Sequence, residues 1–303
     1  MTTLKKAPIL GFCCICNALK REGVSYKTST YARISRLPRA KKIAEISRIV
    51  LENVGVLGKI LHWCAERGIR HHRMSSSIFP LMSHPKLRLN FSDLPDFLEI
   101  SAMLGRAGRF AKRRGITLSF HPGQYDVLAS ASPEVRKNSA FDINLHADFM
   151  DLTGLPLSRK YPINIHVAAR GDTPTFDADL ADGLSLLNAS ARARLAVENE
   201  DKGFWNVSRL LEKIAPLGIP ITLDFLHRKC NPCSLGEKEA FFLCAKTWGR
   251  YTPVFHYAES ASSENRRAHS QFLARRPPCF SKKYVCEIEA KGKDDALEAI
   301  CSS

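Results

Sequence analysis

Eight short apolar segments recur along this chain with helical patterns between them, and that alternation restricts the fold more than any single motif does. The segments run from Ile9 to Cys14, Ile69 to Met74, Ile116 to Phe120, Ile163 to Val167, Arg194 to Glu198, Pro220 to Asp224, Pro253 to Tyr257 and Tyr284 to Glu289. The clearest helical repeat covers 41–67. There Ile43, Ile46, Ile49, Val50, Val54, Leu57, Ile60, Leu61 and Cys64 share one face, and Gly68 supplies a stop. Further helices are predicted near 94–114, 134–152, 178–190, 205–215, 237–247 and 293–301. Strand and helix in alternation, repeated to eight strands, predict an α/β fold: a (β/α)8 barrel of the TIM type, one domain over 1–303 with its core at about 9–299. A doubly wound open sheet is the competitor. It is disfavoured because Gly11-Phe-Cys-Cys stands after the first strand where a glycine-rich phosphate loop would be required.

In a closed ring of parallel strands the carboxyl ends meet at one rim. Six of the eight ends carry, on or near their last residue, a side chain able to bind metal: His121, His166, Glu198, Asp224 with His227, His256 and Glu289. Imidazoles and carboxylates together suit Zn2+, Mn2+ or Fe2+, and a carboxylate can bridge two ions where a histidine cannot. The distribution therefore predicts a polynuclear metal site at the barrel mouth. Any one of these residues alone would more simply be a hydrogen-bonded rim residue; their joint occurrence carries the expectation.

The charge balance narrows the partner. Forty-five Lys and Arg against 30 Asp and Glu give a net +15 and a pI near 9.5, which favours a polyanion such as nucleic acid. Basic clusters lie at Lys20 and Arg21, Arg39 to Lys42, Arg109 to Arg114, and along 266–283. The stretch from about Ser260 to Lys283 is too polar and rich in Pro and Arg for a long helix, and reads as a functional loop. The longest apolar runs are strand-sized and the first residues lack a secretion-signal pattern, so a non-secreted protein with no membrane association is expected. Ten cysteines spread over this length predict mostly reduced, buried thiols, with Cys230-Asn-Pro-Cys233 lacking the second pair of a zinc ribbon.

Several runs resemble one family. They are Leu10-Gly-Phe with Asn17, Arg73 with Phe79-Pro-Leu-Met-Ser-His84-Pro, His121-Pro-Gly-Gln124-Tyr125, Leu195-Ala-Val-Glu198-Asn-Glu-Asp followed by Phe204-Trp-Asn-Val, and Glu289-Ala-Lys291-Gly-Lys293. Together they resemble the UV damage endonucleases, within the endonuclease IV-like and xylose isomerase-like barrel superfamily. The resemblance implies a metal-dependent DNA repair nuclease. Such an enzyme nicks duplex DNA immediately 5′ of a UV photoproduct or other helix-distorting lesion, leaving a 3′-hydroxyl and a 5′-phosphate. It implies one metal site of His121, His166 and Glu198, with Glu198 bridging to a second formed with Asp224, His256 and Glu289, and a third at His227 and His269. Glu198, Asp224, His256 and Glu289 are the expected catalytic group. The implied cofactor is a divalent cluster of up to three ions, Mn2+ foremost, with Zn2+ or Mg2+ as alternatives. Gln124 and Tyr125 are the expected lesion probes, joined by Phe12 and Asn17 after the first strand. Arg73, Lys291, Lys293, Arg266 and Arg267 are candidates for phosphate contact. Damaged double-stranded DNA is the implied partner, with no obligate protein partner, and the protein is expected in the DNA-containing compartment: cytoplasm and nucleoid, or a nucleus.

Two departures from that pattern stand out. Val254 occupies a place where relatives have lysine, two residues before His256. Glu287 precedes Glu289 by two residues where an apolar residue is expected; facing the same interior, it needs a cationic partner or a proton. A further ligand, or compensation for the absent lysine, are the roles open to it. Rival readings are an abasic-site endonuclease, a sugar isomerase-like barrel enzyme, and a catalytically inactive homologue that binds damaged DNA.

Overall fold

The structure is a computed structural model and describes residues 7–123, 125–167 and 171–302. Its strands are β1 (Ile9–Cys13), β2 (His71–Met74), β3 (Thr117–Phe120), β4 (Ile163–His166), β5 (Leu195–Glu198), β6 (Ile221–Thr222), β7 (Val254–Tyr257) and β8 (Val285–Ile288). The helices are α1 (Asn17–Arg21), α2 (Tyr31–Ile34), α3 (Arg39–Glu66), α4 (Phe97–Arg114), α5 (Pro133–Leu152), α6 (Phe176–Ser185), α7 (Ala189–Arg194), α8 (Val207–Lys213), α9 (Phe225–Cys230), α10 (Glu237–Thr247) and α11 (Asp294–Ser302).

All strand pairs are parallel, in the order β6-β5-β4-β3-β2-β1-β8-β7. The two ends meet through one parallel bridge, Asp224 to His256, and the His256 N–H donates to the Leu223 carbonyl at 3.0 Å. The eight strands thus form a nearly closed barrel. All eight predicted strands occur within the predicted spans, β6 being cut to two ladder residues.

Strand alternation divides the side chains into two sets. Phe12, Leu118, Phe120, Ile165, Val197, Leu223, Phe255 and Ile288 are buried on one parity. The helices supply their partners: Phe12, for example, lies edge-on to Trp63 of α3 at 5.7 Å. His72 shares this face, 4.8 Å from Phe12. Burial depresses its imidazole to about 3, so it is a neutral packing residue. The other parity fills the interior and is largely polar: His71, Arg73, Ser119, Asn164, Glu198, Thr222, His256, Glu287 and Glu289 are all buried.

Differences at helices have local causes. The helix expected over 178–190 is two, because the Asn188 side chain accepts from the Ala191 N–H and starts α7 anew. Helix α9 follows β6 at once, since Asp224 caps it, accepting from the His227 N–H at 2.6 Å. The loop expected near 260–283 is present. It holds only an isolated antiparallel bridge, Ser260 to His269, and is tied to the turn after β8 by the Lys291 N–H donating to Ser270 O at 2.9 Å. All ten cysteines are free, Cys230 and Cys233 both half-buried. Among the described residues no helix is long and apolar enough to cross a membrane.

Candidate metal centre at the barrel mouth

Glu198, at the end of β5, is the hub. Its side chain is 1% exposed, and its Oε2 lies 2.8 Å from His121 Nε2, 3.1 Å from His256 Nδ1 and 3.9 Å from His166 Nε2. Asn164 Nδ2 donates to the same oxygen at 2.7 Å, while Oε1 is 3.0 Å from His227 Nδ1. Burial alone would raise this carboxyl. The surrounding imidazoles of His256, His166, His121 and His227 outweigh burial and hold it well below the usual carboxylate range.

Among the described residues four groups of donors lie close enough together to share an ion; one, Cys13, Glu287 and Glu289, lies deeper, and the three at the rim are His121, His166 and Glu198; Glu198, Asp224 and His227; and Asp224, His256 and Glu289. They come from β3 to β8, which only a closed barrel brings together. His269 belongs to none of these groups but stands beside them, its Nε2 3.8 Å from Glu289 Oε2.

The donor set fits divalent cations on two counts. Asp224 Oδ2 is buried without a hydrogen-bond partner among the described residues, Oδ1 being taken by the α9 cap; burial raises this carboxyl despite the neighbouring imidazoles. An orphaned buried carboxylate oxygen is costly unless a cation completes it. Second, the rings are turned for coordination. His121 and His269 place Nδ1 on the backbone carbonyls of Pro122 and Glu289 at 3.0 and 2.7 Å. That contact fixes the tautomer and leaves Nε2 as the ligand atom. For His121, whose burial keeps the ring neutral to lower pH than usual, Nε2 then presents a lone pair to Glu198 at 2.8 Å. A shared proton or a metal ion reconciles the two.

Below these groups lies a polar layer. Arg73 Nη1 is 3.2 Å from Glu287 Oε2 and bonded to Glu289 Oε1. Glu287 Oε1 meets His71 Nε2 at 2.8 Å and accepts from Ser119 Oγ; Oε2 lies 3.1 Å from His256 Nε2. Burial is offset by His256, His71 and Arg73, so the Glu287 carboxyl sits well below its ordinary value. This answers the need for a cationic partner. It also revises Arg73: expected at a phosphate, it is 9% exposed and committed to two carboxylates inside the barrel. Val254 is buried on the interior parity, in register with Val285, so the barrel beneath Glu287 is apolar.

The lesion-probe candidates divide. Tyr125 is 92% exposed on the loop after β3, and Gln124 lies outside the described residues. Phe12 must be corrected. It is fully buried against α3, because strand parity points Gly11 and Cys13 inward and Phe12 outward. Asn17 starts α1 beside the mouth, but its Nδ2 donates to Gly292 O at 3.0 Å and its N–H to Asp294 Oδ1 at 2.6 Å, so it tethers α1 to the turn after β8. Lys291, Arg266 and Arg267 are exposed and Lys293 is half-buried; Arg267 Nε lies 3.7 Å from Asp201.

Sequence reasoning missed Asn164, Asn199, His71 and Ser119. Asn199 exchanges two hydrogen bonds with the Asp224 backbone, at 2.9 and 3.1 Å. A usable signal existed for two of the four: Ser119 and Asn164 each stand two residues before a strand-end ligand, and period two puts both residues of such a pair on the same face.

The sequence pattern of the UV-endonuclease UvdE family matches residues 8–303. The UV DNA damage endonuclease of a Nostoc species is 29% identical over 302 residues, spanning 96% of this chain and 88% of that protein. The UV-damage endonuclease of Schizosaccharomyces pombe is 30% identical over 308 residues, spanning 96% of this chain but 50% of the longer yeast protein. The crystal structure of SacUVDE superposes with a TM-score of 0.80 at 27% identity, covering 97% of this chain and 96% of that one. Endonuclease IV from Thermus thermophilus shares the fold, with a TM-score of 0.54 at 15% identity. With a family match over nearly its whole length and the same barrel in SacUVDE, this chain belongs to the UV-endonuclease UvdE family.

Proposed function

We propose that this protein is a metal-dependent repair endonuclease that nicks duplex DNA immediately 5′ of UV photoproducts and other helix-distorting lesions. The observation that carries this reading is the set of three donor groups, two of them sharing Glu198, at the mouth of a family-matched barrel. His121, His166, Glu198, Asp224, His227, His256, His269 and Glu289 are the residues that would hold up to three divalent ions, Mn2+ foremost. Such ions supply Lewis acidity and an activated water toward a phosphodiester. Hydrolysis adds the water oxygen to phosphorus and breaks the bond to the 3′ oxygen, giving a 3′-hydroxyl and a 5′-phosphate.

The chain's own residues do the rest. Asn164 and the carbonyls of Pro122, Asn199 and Glu289 hold the ligands in orientation. Arg266, Arg267 and Lys291, exposed on the two loops tied together after β7 and β8, would hold backbone phosphates, giving salt-dependent binding with little sequence information. Tyr125, exposed on the loop after β3, would test stacking, since destabilised nucleotides leave the helix at the least cost. Tyr125→Ala is expected to reduce the preference for damaged over intact duplex by roughly 10-fold, within the 1–3 kcal/mol that an aromatic–base stack contributes. Competition cleavage of the two duplexes, with metal content measured alongside, checks this. An unchanged preference would remove Tyr125 from recognition.

The deciding experiment for the function is cleavage of an end-labelled duplex carrying one thymine photoproduct, with Mn2+ or with chelator, beside undamaged and abasic duplexes. A single Mn2+-dependent cut 5′ of the photoproduct is the expected result. Cleavage of the abasic duplex alone would favour an abasic-site endonuclease, and binding without any cut an inactive homologue.

A further inference from the structure

The polar layer under the metal-binding groups is built around Glu287, a residue the reaction does not itself require. Three hydrogen-bond partners and one charge contact converge on it: His71 Nε2 at 2.8 Å and Ser119 Oγ on Oε1, Arg73 Nη1 at 3.2 Å on Oε2, and the His256 ring, whose Nε2 stands 3.1 Å from Oε2. A carboxylate offers about four lone-pair sites. Three of these sites are taken by hydrogen bonds and His256 stands at the fourth; Cys13 and Glu289 lie near enough to complete a ligand group with Glu287. The sequence makes room for this arrangement. Gly11 is in register with Glu287, and a Cβ there would come within 2.8 Å of the His71 ring, so only glycine lets that ring cross to Glu287. His71 is braced behind by Thr117 Oγ1 at 2.8 Å from its Nδ1.

His256 differs from His121 and His269 in consequence. Those two direct Nδ1 to a backbone carbonyl and leave Nε2 to the site. His256 is reversed: Nε2 faces Glu287, and Nδ1 faces Glu198 at 3.1 Å and Glu289 at 3.3 Å. Both nitrogens lie at hydrogen-bond distance yet off the bonding line to these carboxylates, so the contacts are set by charge and distance.

Resting on the metal-dependent reading above, we infer that Glu287 is a positioning residue: it fixes His256 as an Nδ1 ligand, with His71, Ser119 and Arg73 holding Glu287 in place. A carboxylate behind a ligating imidazole orients the ring and raises its basicity, and losing it typically weakens metal binding by about 10- to 100-fold.

Two measurements test this. In the wild-type protein, selectively 15N-labelled at histidine and titrated with Zn2+, one site histidine is expected to coordinate through Nδ1, and His256→Asn should delete that resonance. Coordination of His256 through Nε2 overturns the inference whatever any variant does. In Glu287→Gln, Mn2+ affinity by equilibrium dialysis is expected to fall about 10- to 100-fold at one ion, while the ions nearest His121 and His166 stay bound. Wild-type affinity in a folded Glu287→Gln protein overturns the inference and leaves the metal reading standing. A wild-type protein that takes up neither ion overturns both.

Discussion

Glu198→Gln and Asp224→Asn are each expected to lower the rate of nicking at least roughly 1,000-fold, about 4 kcal/mol at 1.36 kcal/mol per tenfold, while binding to the damaged duplex stays within a few-fold of wild type. Glu198 stands within 3.9 Å of four imidazoles, those of His121, His166, His227 and His256. A neutral amide there keeps the shape but removes the one charge that two donor groups share. Asp224→Asn is the more incisive variant. Asparagine still accepts from the His227 N–H and caps α9, as good an N-cap as aspartate, so the local fold persists. What is lost is the negative charge at Oδ2, the buried oxygen that has no hydrogen-bond partner among the described residues. The exposed basic loops are untouched, and phosphate contacts dominate affinity. Single-turnover nicking with saturating enzyme separates the effects, and metal analysis of the same samples shows which ions depart. Turnover within tenfold of wild type in either variant would remove that residue from the catalytic group.

The parts of this structure that were legible in the sequence obey one-dimensional rules. Period two along Ile163 to Val167 and the helical repeat from Ile43 to Cys64 fix which face is apolar regardless of what lies opposite, and eight strands in alternation with helices leave few closed arrangements. The strand-end ligands were legible for the same reason: the rim collects whatever ends a strand. Phe12 shows where this fails. A motif match placed it at the mouth, yet parity within β1 sends its ring outward to Trp63, and parity was available from Gly11 and Cys13. Arg73 and Glu287 show a different limit. Each reads alone as an anomaly, an interior cation and an interior anion, and only the register of β8 with β1 and of β1 with β2 brings them within 3.2 Å. The helix α9 was hidden because Asp224 serves at once as strand end, helix cap and candidate ligand.

That limit leads to the second large effect. Arg73→Met is expected to destabilise the metal-free protein by about 3–5 kcal/mol, the cost of removing one member of a buried ion pair and leaving the others uncompensated. The guanidinium is bonded to Glu289 and lies 3.2 Å from Glu287, carboxylates 8% and 1% exposed, and without it these two buried charges keep His256, His71 and His269 with the Ser119 hydroxyl to offset them. A phosphate contact predicts something else: little change in stability, uniformly weaker DNA binding, and a salt slope smaller by about one. Urea unfolding in the presence of chelator, with binding isotherms at several salt concentrations, sets the two against each other. Adding Glu287→Gln to Arg73→Met sharpens the test. If the arginine serves to neutralise Glu287, removing the anion as well should recover at least about 1 kcal/mol of the loss, a coupling typical of directly contacting groups. Strict additivity of the two substitutions would mean that Arg73 is held for Glu289 alone, and a reduced salt slope with undiminished stability would return it to the DNA.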